Sequence, residues 1–173
     1  VMVSATLFCA GCGEEKLDFT GKTPEQVASA IKASSNKITS ATIIPSTDGP
    51  LVADIAWLAS SGPSPILMES PDILKTIKAI ATAKGDGNFK WILLELNDTG
   101  VDKLGNKSTV LTVNLFWDMD TLKKVNWDNF QNWKLIELAT IQKIGPFGNE
   151  ALTKYCEEGG KSYAKEFCRR AGL

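Results

Sequence analysis

Two segments of the chain combine helical spacing of apolar residues with signals for a helix start. In the first, Thr23 stands at the N-cap position, Pro24 takes the first helical position and Gln26 completes a capping box. In the second, Ser70 and Pro71 precede a run whose apolar residues share one helical face: Ile73, Leu74, Ile77, Ile80 and Ala81. The pattern therefore predicts a helix from each of these two starts.

The strongest strand pattern lies in the middle of the chain. Two runs rich in β-branched and aromatic residues, Phe89–Leu96 and Thr109–Trp117, are separated by a polar, turn-rich segment. They predict an antiparallel hairpin whose polar tip contains Asp98, Asp102 and Asn106. We expect these side chains to bond their own backbone in the turn. Calcium binding is the alternative, although the twelve-residue loop pattern of calcium sites is missing.

The remaining segments give weaker patterns. Ile38–Ile44 is ambiguous, Leu51–Ala59 is interpreted as a short helix, and another helix is expected from Asn126 or Asp128 to Leu138. A helical pair is expected after the break at residues 145–148. Helices before and after a central hairpin, without strand–helix–strand alternation, predict an α+β fold with a central antiparallel hairpin or small sheet flanked by N-terminal and C-terminal helices.

Composition and charge exclude several function classes. The chain has 173 residues and a formal net charge of −1, with basic pairs only at Lys123–Lys124 and Arg169–Arg170. Because nucleic-acid binding requires a concentrated basic face, we expect no nucleic-acid partner. The sequence contains no histidine, which excludes Ser-His and Cys-His catalysis and histidine-ligated metals within this chain. No motif predicts a catalytic residue, a metal site or a cofactor.

The N-terminal segment has the residue order of a secretory signal. An apolar run, Val1–Ala10, is followed by Gly11, Cys12 and then charged residues. The junction Ala-Gly-Cys resembles a bacterial lipobox, at which the signal is cut and the new N-terminal cysteine is lipidated. The resemblance implies a bacterial lipoprotein, lipidated at Cys12 and anchored in the periplasm, with the outer membrane favoured over the inner one.

The resemblance also sets the expected domain organisation. Residues 1–11 are expected to be a signal peptide lacking its first residues, because no basic residue precedes the apolar run. Residues 12–22 are expected to be a polar tether, and residues 23–173 a single globular α+β domain. The alternatives for the N-terminus are a buried strand over Val1–Phe8 and a redox or zinc pair formed by Cys9 and Cys12.

Two cysteines remain if Cys9 leaves with the signal and Cys12 carries lipid. An oxidising compartment favours a disulfide between them, Cys156 and Cys168. The intervening sequence predicts two short helices broken at Gly159-Gly160. The break is needed because one unbroken helix would separate the two α-carbons by about 18 Å. The alternative is a pair of free, buried cysteines.

Five tryptophans are the one compositional oddity: Trp57, Trp91, Trp117, Trp127 and Trp133. We expect Trp91 and Trp117, at the base of the hairpin, to pack in the core. Trp127 and Trp133 lie among polar residues and, together with the hairpin tip at residues 98–106, are the predicted binding surface.

These patterns predict a lipid-anchored envelope protein that binds another protein, as assembly factors, inhibitors, immunity proteins and exclusion proteins do. The alternative is a small carboxylate-based hydrolase or glycan-acting envelope enzyme. A flat apolar patch with exposed tryptophan would favour binding, whereas a pocket lined by two close acids would favour the enzyme.

The lipobox resemblance is tested at Cys12. Expressed in a bacterium with a complete leader, the protein should partition to membranes and incorporate labelled fatty acid, and Cys12→Ser should abolish both. Membrane fractionation and fatty-acid labelling measure the two effects. Wild-type protein that is unlabelled and leaves the membrane fraction would contradict the lipoprotein interpretation.

Overall fold

The computed structural model describes residues 16–47, 49–59, 67, 70–85, 87–131 and 134–173. The predicted lipobox with Cys12 lies outside the described residues, as does Trp133. Lipidation and the role of Trp133 therefore stay predictions.

Helices and strands alternate irregularly along the described chain. The elements are α1 (Pro24–Ala33), β1 (Ile38–Pro45), β2 (Leu51–Leu58), α2 (Ser70–Ala81), β3 (Phe89–Val101), β4 (Lys107–Asp118), α3 (Met119–Leu122), α4 (Lys134–Leu138), β5 (Thr140–Ile144), α5 (Gly148–Tyr155), a π-helical turn (Cys156–Gly160), α6 (Lys161–Tyr163) and α7 (Lys165–Arg170). The predicted α+β class, a central sheet flanked by helices, is confirmed. Within the described ranges, no helix combines the length and apolar character needed to span a bilayer.

The five strands lie side by side in chain order, β1-β2-β3-β4-β5. Neighbouring strands are antiparallel except for β2 and β3, which are parallel. A parallel pair needs a crossover connection, and α2 lies in the connection between these two strands. The sheet is therefore mixed and larger than the predicted hairpin, and the expectation of no strand–helix–strand alternation is wrong.

Both predicted helix starts are confirmed. The Thr23 hydroxyl accepts a hydrogen bond from the backbone N–H of Gln26, and the Gln26 side chain accepts one from the backbone N–H of Thr23. This reciprocal pair satisfies two of the N–H groups that a helix start leaves without partners. The second helix, α2, begins at Ser70 as predicted.

The segment interpreted as a short helix is the strand β2. Its residues alternate between buried and partly exposed: Ala53, Ile55 and Trp57 are buried, whereas Asp54 and Ala56 lie between them on the other side. This is the two-residue period of a strand. Pairing with β1 on one side and β3 on the other overrides the helical tendency of the leucines and alanines in this segment.

The helix expected to reach Leu138 is shorter than predicted. Residues 127–129 form a turn closed by the Asn129 N–H, which donates to the Asn126 carbonyl, and among the described residues of this segment only α4 is helical. The chain then enters β5, which the sequence did not predict. Four of its five residues are exposed, so this edge strand lacks the apolar alternation that identifies strands.

One face of the sheet, called the inner face, forms the core together with the helices. Buried side chains of α1, α2, α3, α4, α5 and α7 join it in a single apolar cluster. The inner face consists of Ala53, Ile55, Trp57, Ile92, Leu94, Leu96, Val113, Leu115 and Trp117. Trp117 lies in this core as expected, and its indole N–H donates to the Leu135 carbonyl oxygen at 2.9 Å.

The domain extends further towards the N-terminus than the predicted tether allowed. Phe19 is buried, and its ring lies 6.1 Å from that of Phe89, measured between centroids. Its backbone N–H donates to the Lys84 carbonyl at 2.7 Å, and the Lys84 N–H donates to the Leu17 carbonyl at 2.8 Å. The chain from Leu17 onwards is therefore packed on the domain.

The C-terminal helices are fixed by a covalent bond and by one carboxylate. Cys156 and Cys168 form the expected disulfide, with their α-carbons 5.8 Å apart. The Glu137 carboxylate accepts hydrogen bonds from the backbone N–H groups of Glu166 and Phe167, both at 3.0 Å. These two donors lie at the start of α7, so Glu137 on α4 caps a helix that is distant in sequence.

The contribution of the disulfide can be measured by removing both sulfurs. The Cys156→Ala/Cys168→Ala variant should lose about 3 kcal/mol of unfolding free energy, because a closed loop with a sequence separation of 12 restricts the unfolded chain. Urea denaturation of the oxidised wild type and of the double variant measures the loss. Equal midpoints and slopes would show that the bond does not stabilise the domain.

Candidate binding surface

The outer face of the sheet lies opposite the helical core. It is formed by the side chains that alternate with the inner ones, among them Ser40, Thr42, Asp54, Ala56, Trp91, Leu93, Glu95, Asn114, Phe116 and Lys143. A sheet face turned towards water is ordinarily polar. Here apolar, aromatic and acidic side chains lie together on it, which makes the outer face the candidate binding surface.

Aromatic side chains cover the end of the outer face near Asp118. The rings of Trp91 and Phe116 are 5.7 Å apart between centroids, and both are partly exposed, as is Leu93. The Lys90 ammonium lies 5.4 Å from the centroid of the Trp91 ring. Partly exposed aromatic rings offer a large rigid contact area, which is typical of binding surfaces.

The expectation that Trp91 packs in the core beside Trp117 is wrong. In the register of the hairpin, Trp91 is opposite Asp118, and Trp117 is opposite Ile92. Successive side chains on a strand point to opposite faces. Trp117 therefore points into the core, whereas Trp91 points to the outer face.

Two carboxylates lie next to each other on the outer face. Asp54 on β2 is paired with Leu93, and Glu95 on β3 is paired with Ala56, so the two acids are diagonal neighbours on adjacent strands. The Asp54 Oδ1 atom is buried and has no hydrogen-bond partner among the described residues. Burial and the nearby charge of Glu95 raise the pKa of Asp54 from 3.8 to about 6.

Asn114 adds a third oxygen to this group. It is directly opposite Glu95 on β4 and only 7% exposed, and its Oδ1 atom has no hydrogen-bond partner within the described ranges. Asp54, Glu95 and Asn114 are called the acceptor cluster below. Buried oxygens without donors cost free energy, so the cluster is a place where an incoming donor would be stabilised.

Ionised Asp54 destabilises the folded protein. The folded-state pKa is above the unfolded one, so between about pH 4 and pH 6 the folded state binds more protons than the unfolded state. Stability therefore falls as the pH rises through this window and stays lower at neutral pH. After allowance for solvent screening at a partly exposed site, the cost is about 1–2 kcal/mol.

The polar residues of the hairpin tip hold its turn through hydrogen bonds. The Asp102 carboxylate accepts hydrogen bonds from the N–H groups of Leu104 at 2.8 Å and Asn106 at 2.9 Å, and from the Asn106 side-chain amide at 2.9 Å. Asn106 also lowers the pKa of Asp102 through these bonds. Asp102 and Asn106 hold the turn, as expected. The tip also exposes two apolar side chains, Val101 with 61% and Leu104 with 78% of its surface accessible.

The other predicted binding residues are less accessible. Asp98 lies within β3, opposite Val110, and is only 2% exposed. Its Oδ1 atom accepts a hydrogen bond from the Thr99 N–H at 2.6 Å. Trp127 is partly buried, packs against the core and lies 5.2 Å from the ring of Phe130, measured between centroids. Among Asp98, Asp102, Asn106 and Trp127, only Asp102 and Asn106 are therefore exposed.

Two surface cavities lie away from the acceptor cluster. One, of about 310 Å³, is lined by residues including Lys37 and Asp72, whose side chains form an ion pair at 2.9 Å. The other, of about 410 Å³, is lined by residues including Phe89 and Asp120. Neither Asp54 nor Glu95 lines either of these two cavities.

The sequence did contain a signal for the acceptor cluster. Asp54 and Glu95 each interrupt an otherwise apolar strand, and an acid in such a run belongs to the face that does not join the core. The composition of the segment around Asp54 favours a helix, so the sequence does not place this acid on a sheet face. The position of Glu95 on a strand is predictable, but its proximity to Asp54 follows only from the pairing of β2 with β3.

Comparison with family models, with curated proteins and with solved structures finds no match to this chain. Within the part of the chain that the structure describes, no three cysteine, aspartate or glutamate side chains are grouped so that they could hold a metal ion.

Proposed function

We propose that this protein binds another protein through the outer face of its sheet. The observation that carries the proposal is the partly exposed cluster of Trp91, Leu93 and Phe116 beside the carboxylates of Asp54 and Glu95. An apolar centre with aromatic rings and a charged surround is the usual composition of a protein-binding site. A sheet face suits another protein surface better than it suits a small molecule, which needs a concave site.

We further propose that binding takes place at the bacterial envelope, with the protein anchored through lipid on Cys12. The lipobox resemblance supports the anchor, and the Cys156–Cys168 disulfide supports an oxidising compartment. Assembly factors, inhibitors, immunity proteins and exclusion proteins are the classes that combine such an anchor with binding to a protein partner.

A carboxylate-based glycan hydrolase is the second candidate. Asp54, with its pKa raised to about 6 next to Glu95, has the properties of a general acid beside a second carboxylate. Neither acid lines one of the two cavities described above, which argues against this function because glycosidic cleavage needs a cleft that orients the sugar. Release of reducing ends from purified peptidoglycan by the wild type, and its loss in Asp54→Asn, would favour this enzyme over the binding protein.

The binding surface can be mapped by photo-cross-linking in the native bacterium. A photoreactive residue at Thr42, exposed on the outer face, should give a discrete cross-linked partner, whereas one at Lys32, exposed on α1, should not. Trp91→Ala should reduce the cross-link from position 42 about tenfold or more, because a central tryptophan contributes strongly to binding. Tyr163→Ala, at an exposed aromatic residue of α6, is the control and should leave it largely unchanged.

Thermal unfolding of each variant shows whether the fold is retained. A partner cross-linked only from position 32, or a cross-link from position 42 that Trp91→Ala leaves intact, would contradict binding through the outer face.

A further inference from the structure

We propose that the acceptor cluster of Asp54, Glu95 and Asn114 receives an arginine side chain of the protein partner. This inference rests on the proposed function, since it identifies the chemistry of the partner at the same surface. It names the feature of the partner that the outer face recognises: a guanidinium group flanked by apolar residues.

The first argument is the arrangement of the oxygens. Asp54, Glu95 and Asn114 lie on three adjacent strands, β2, β3 and β4, which are spaced by about 5 Å in a sheet. Guanidinium presents five N–H donors in a rigid plane and accepts no hydrogen bonds. Such a fork can bond several oxygens at once, whereas a lysine ammonium is a compact point charge. The spread of the cluster therefore favours arginine.

The second argument is that the cluster lacks donors. The Oδ1 atoms of Asp54 and Asn114 are buried, and neither has a hydrogen-bond partner among the described residues. The amide oxygen of Asn114 can only accept hydrogen bonds, and so can the Asp54 carboxylate once it is ionised. Asn114 is too buried for its oxygen to be solvated freely. A guanidinium beside Glu95, which lies between these two residues, would bring donors that the cluster lacks.

The third argument is the charge on the surrounding strands. Glu95 on β3 repels ionised Asp54, and the outer-face residues Ser40 and Thr42 of β1 are uncharged. Lys143 on β5 is a cationic residue of the outer face, and it lies opposite Asn114, two strands from β3. An added positive charge beside Asp54 and Glu95 would offset their repulsion.

The fourth argument is the aromatic side of the cluster. Arginine has a long apolar stem and a planar group that stacks on aromatic rings. Leu93 and the Trp91–Phe116 pair lie on the same face as the acids and could contact that stem. The Lys90 ammonium lies within cation–π distance of the Trp91 ring, the kind of contact that a guanidinium also makes.

A peptide titration tests the proposal. The probe is acetyl-Leu-Arg-Leu-amide, and its matched control is the same peptide with citrulline, a neutral isostere, in place of arginine. Added to the ¹⁵N-labelled full chain at pH 7.5, the arginine peptide should shift the amide signals of Ala56, Glu95 and Asn114. The citrulline peptide should bind about tenfold or more weakly, because charge-assisted hydrogen bonds are about twice as strong as neutral ones.

Two further measurements identify the groups on the protein. Asp54→Asn should weaken binding of the arginine peptide about tenfold, and Asp128→Asn, at an exposed position away from the sheet, should not change it. For the wild type, affinity should fall about tenfold between pH 7.5 and pH 5, because Asp54 is mostly protonated at the lower pH. The pH effect should disappear in Asp54→Asn. The amide spectrum of each variant shows that the fold is retained.

Three results would overturn the inference: equal binding of the arginine and citrulline peptides, unchanged binding by Asp54→Asn, or shifts of the same signals by Ca²⁺ without any by the peptide. If the cross-link from position 42 persists in such a case, the proposed function stands and only the arginine assignment is wrong. If the cross-link is also absent, the proposed function itself fails.

Discussion

The parallel pairing of β2 with β3 determines both the packing of the sheet and the chemistry of its outer face. A parallel pair requires a crossover, and α2, which lies in that crossover, packs on the inner face with the other helices of the core. The same register brings Asp54 and Glu95 to neighbouring positions on the opposite face. Had β2 paired with β3 one residue out of register, every side chain of β2 would change face, and Asp54 would enter the apolar core. The packing of the core thus fixes which side chains the outer face presents.

Under the proposed function, the outer face is a compromise between stability and binding. Ionised Asp54 lies partly buried beside a second carboxylate, and two oxygens of the acceptor cluster have no donor within the described part of the protein. An apolar residue at position 54 would remove the repulsion and the unsatisfied oxygen together. Groups retained at a cost to the fold are typical of functional surfaces, because the partner supplies what the isolated protein lacks. The fold tolerates this loss of unfolding free energy because other features stabilise the domain. These are the core, the Glu137 cap on α7 and the Cys156–Cys168 disulfide, none of which lies on the outer face.

Local signals in the sequence were sufficient for the elements that form on their own. The capping box at Thr23 and the serine–proline start of α2 predicted two helices correctly, and the strand runs predicted the hairpin. The elements that depend on distant partners were not predictable in this way. β2 resembles a helix by composition and becomes a strand because it pairs on both sides, and β5 is an exposed edge that only its pairing with β4 defines. The candidate binding surface follows the same rule, since the acceptor cluster exists only once β2, β3 and β4 are aligned.

The central claim is that Asp54 is retained as an ionisable group at a cost to the fold, and the pH dependence of stability tests it most directly. Urea denaturation of the wild type and of Asp54→Asn should be compared at pH 4 and pH 7.5, with Asp128→Asn as the control. Because the folded-state pKa of Asp54 is about 6, the variant should be more stable than the wild type by about 1–2 kcal/mol at pH 7.5, and the difference should be much smaller at pH 4. The control should show no such pH-dependent gain. A variant that is equally or less stable than the wild type at pH 7.5 would contradict the account.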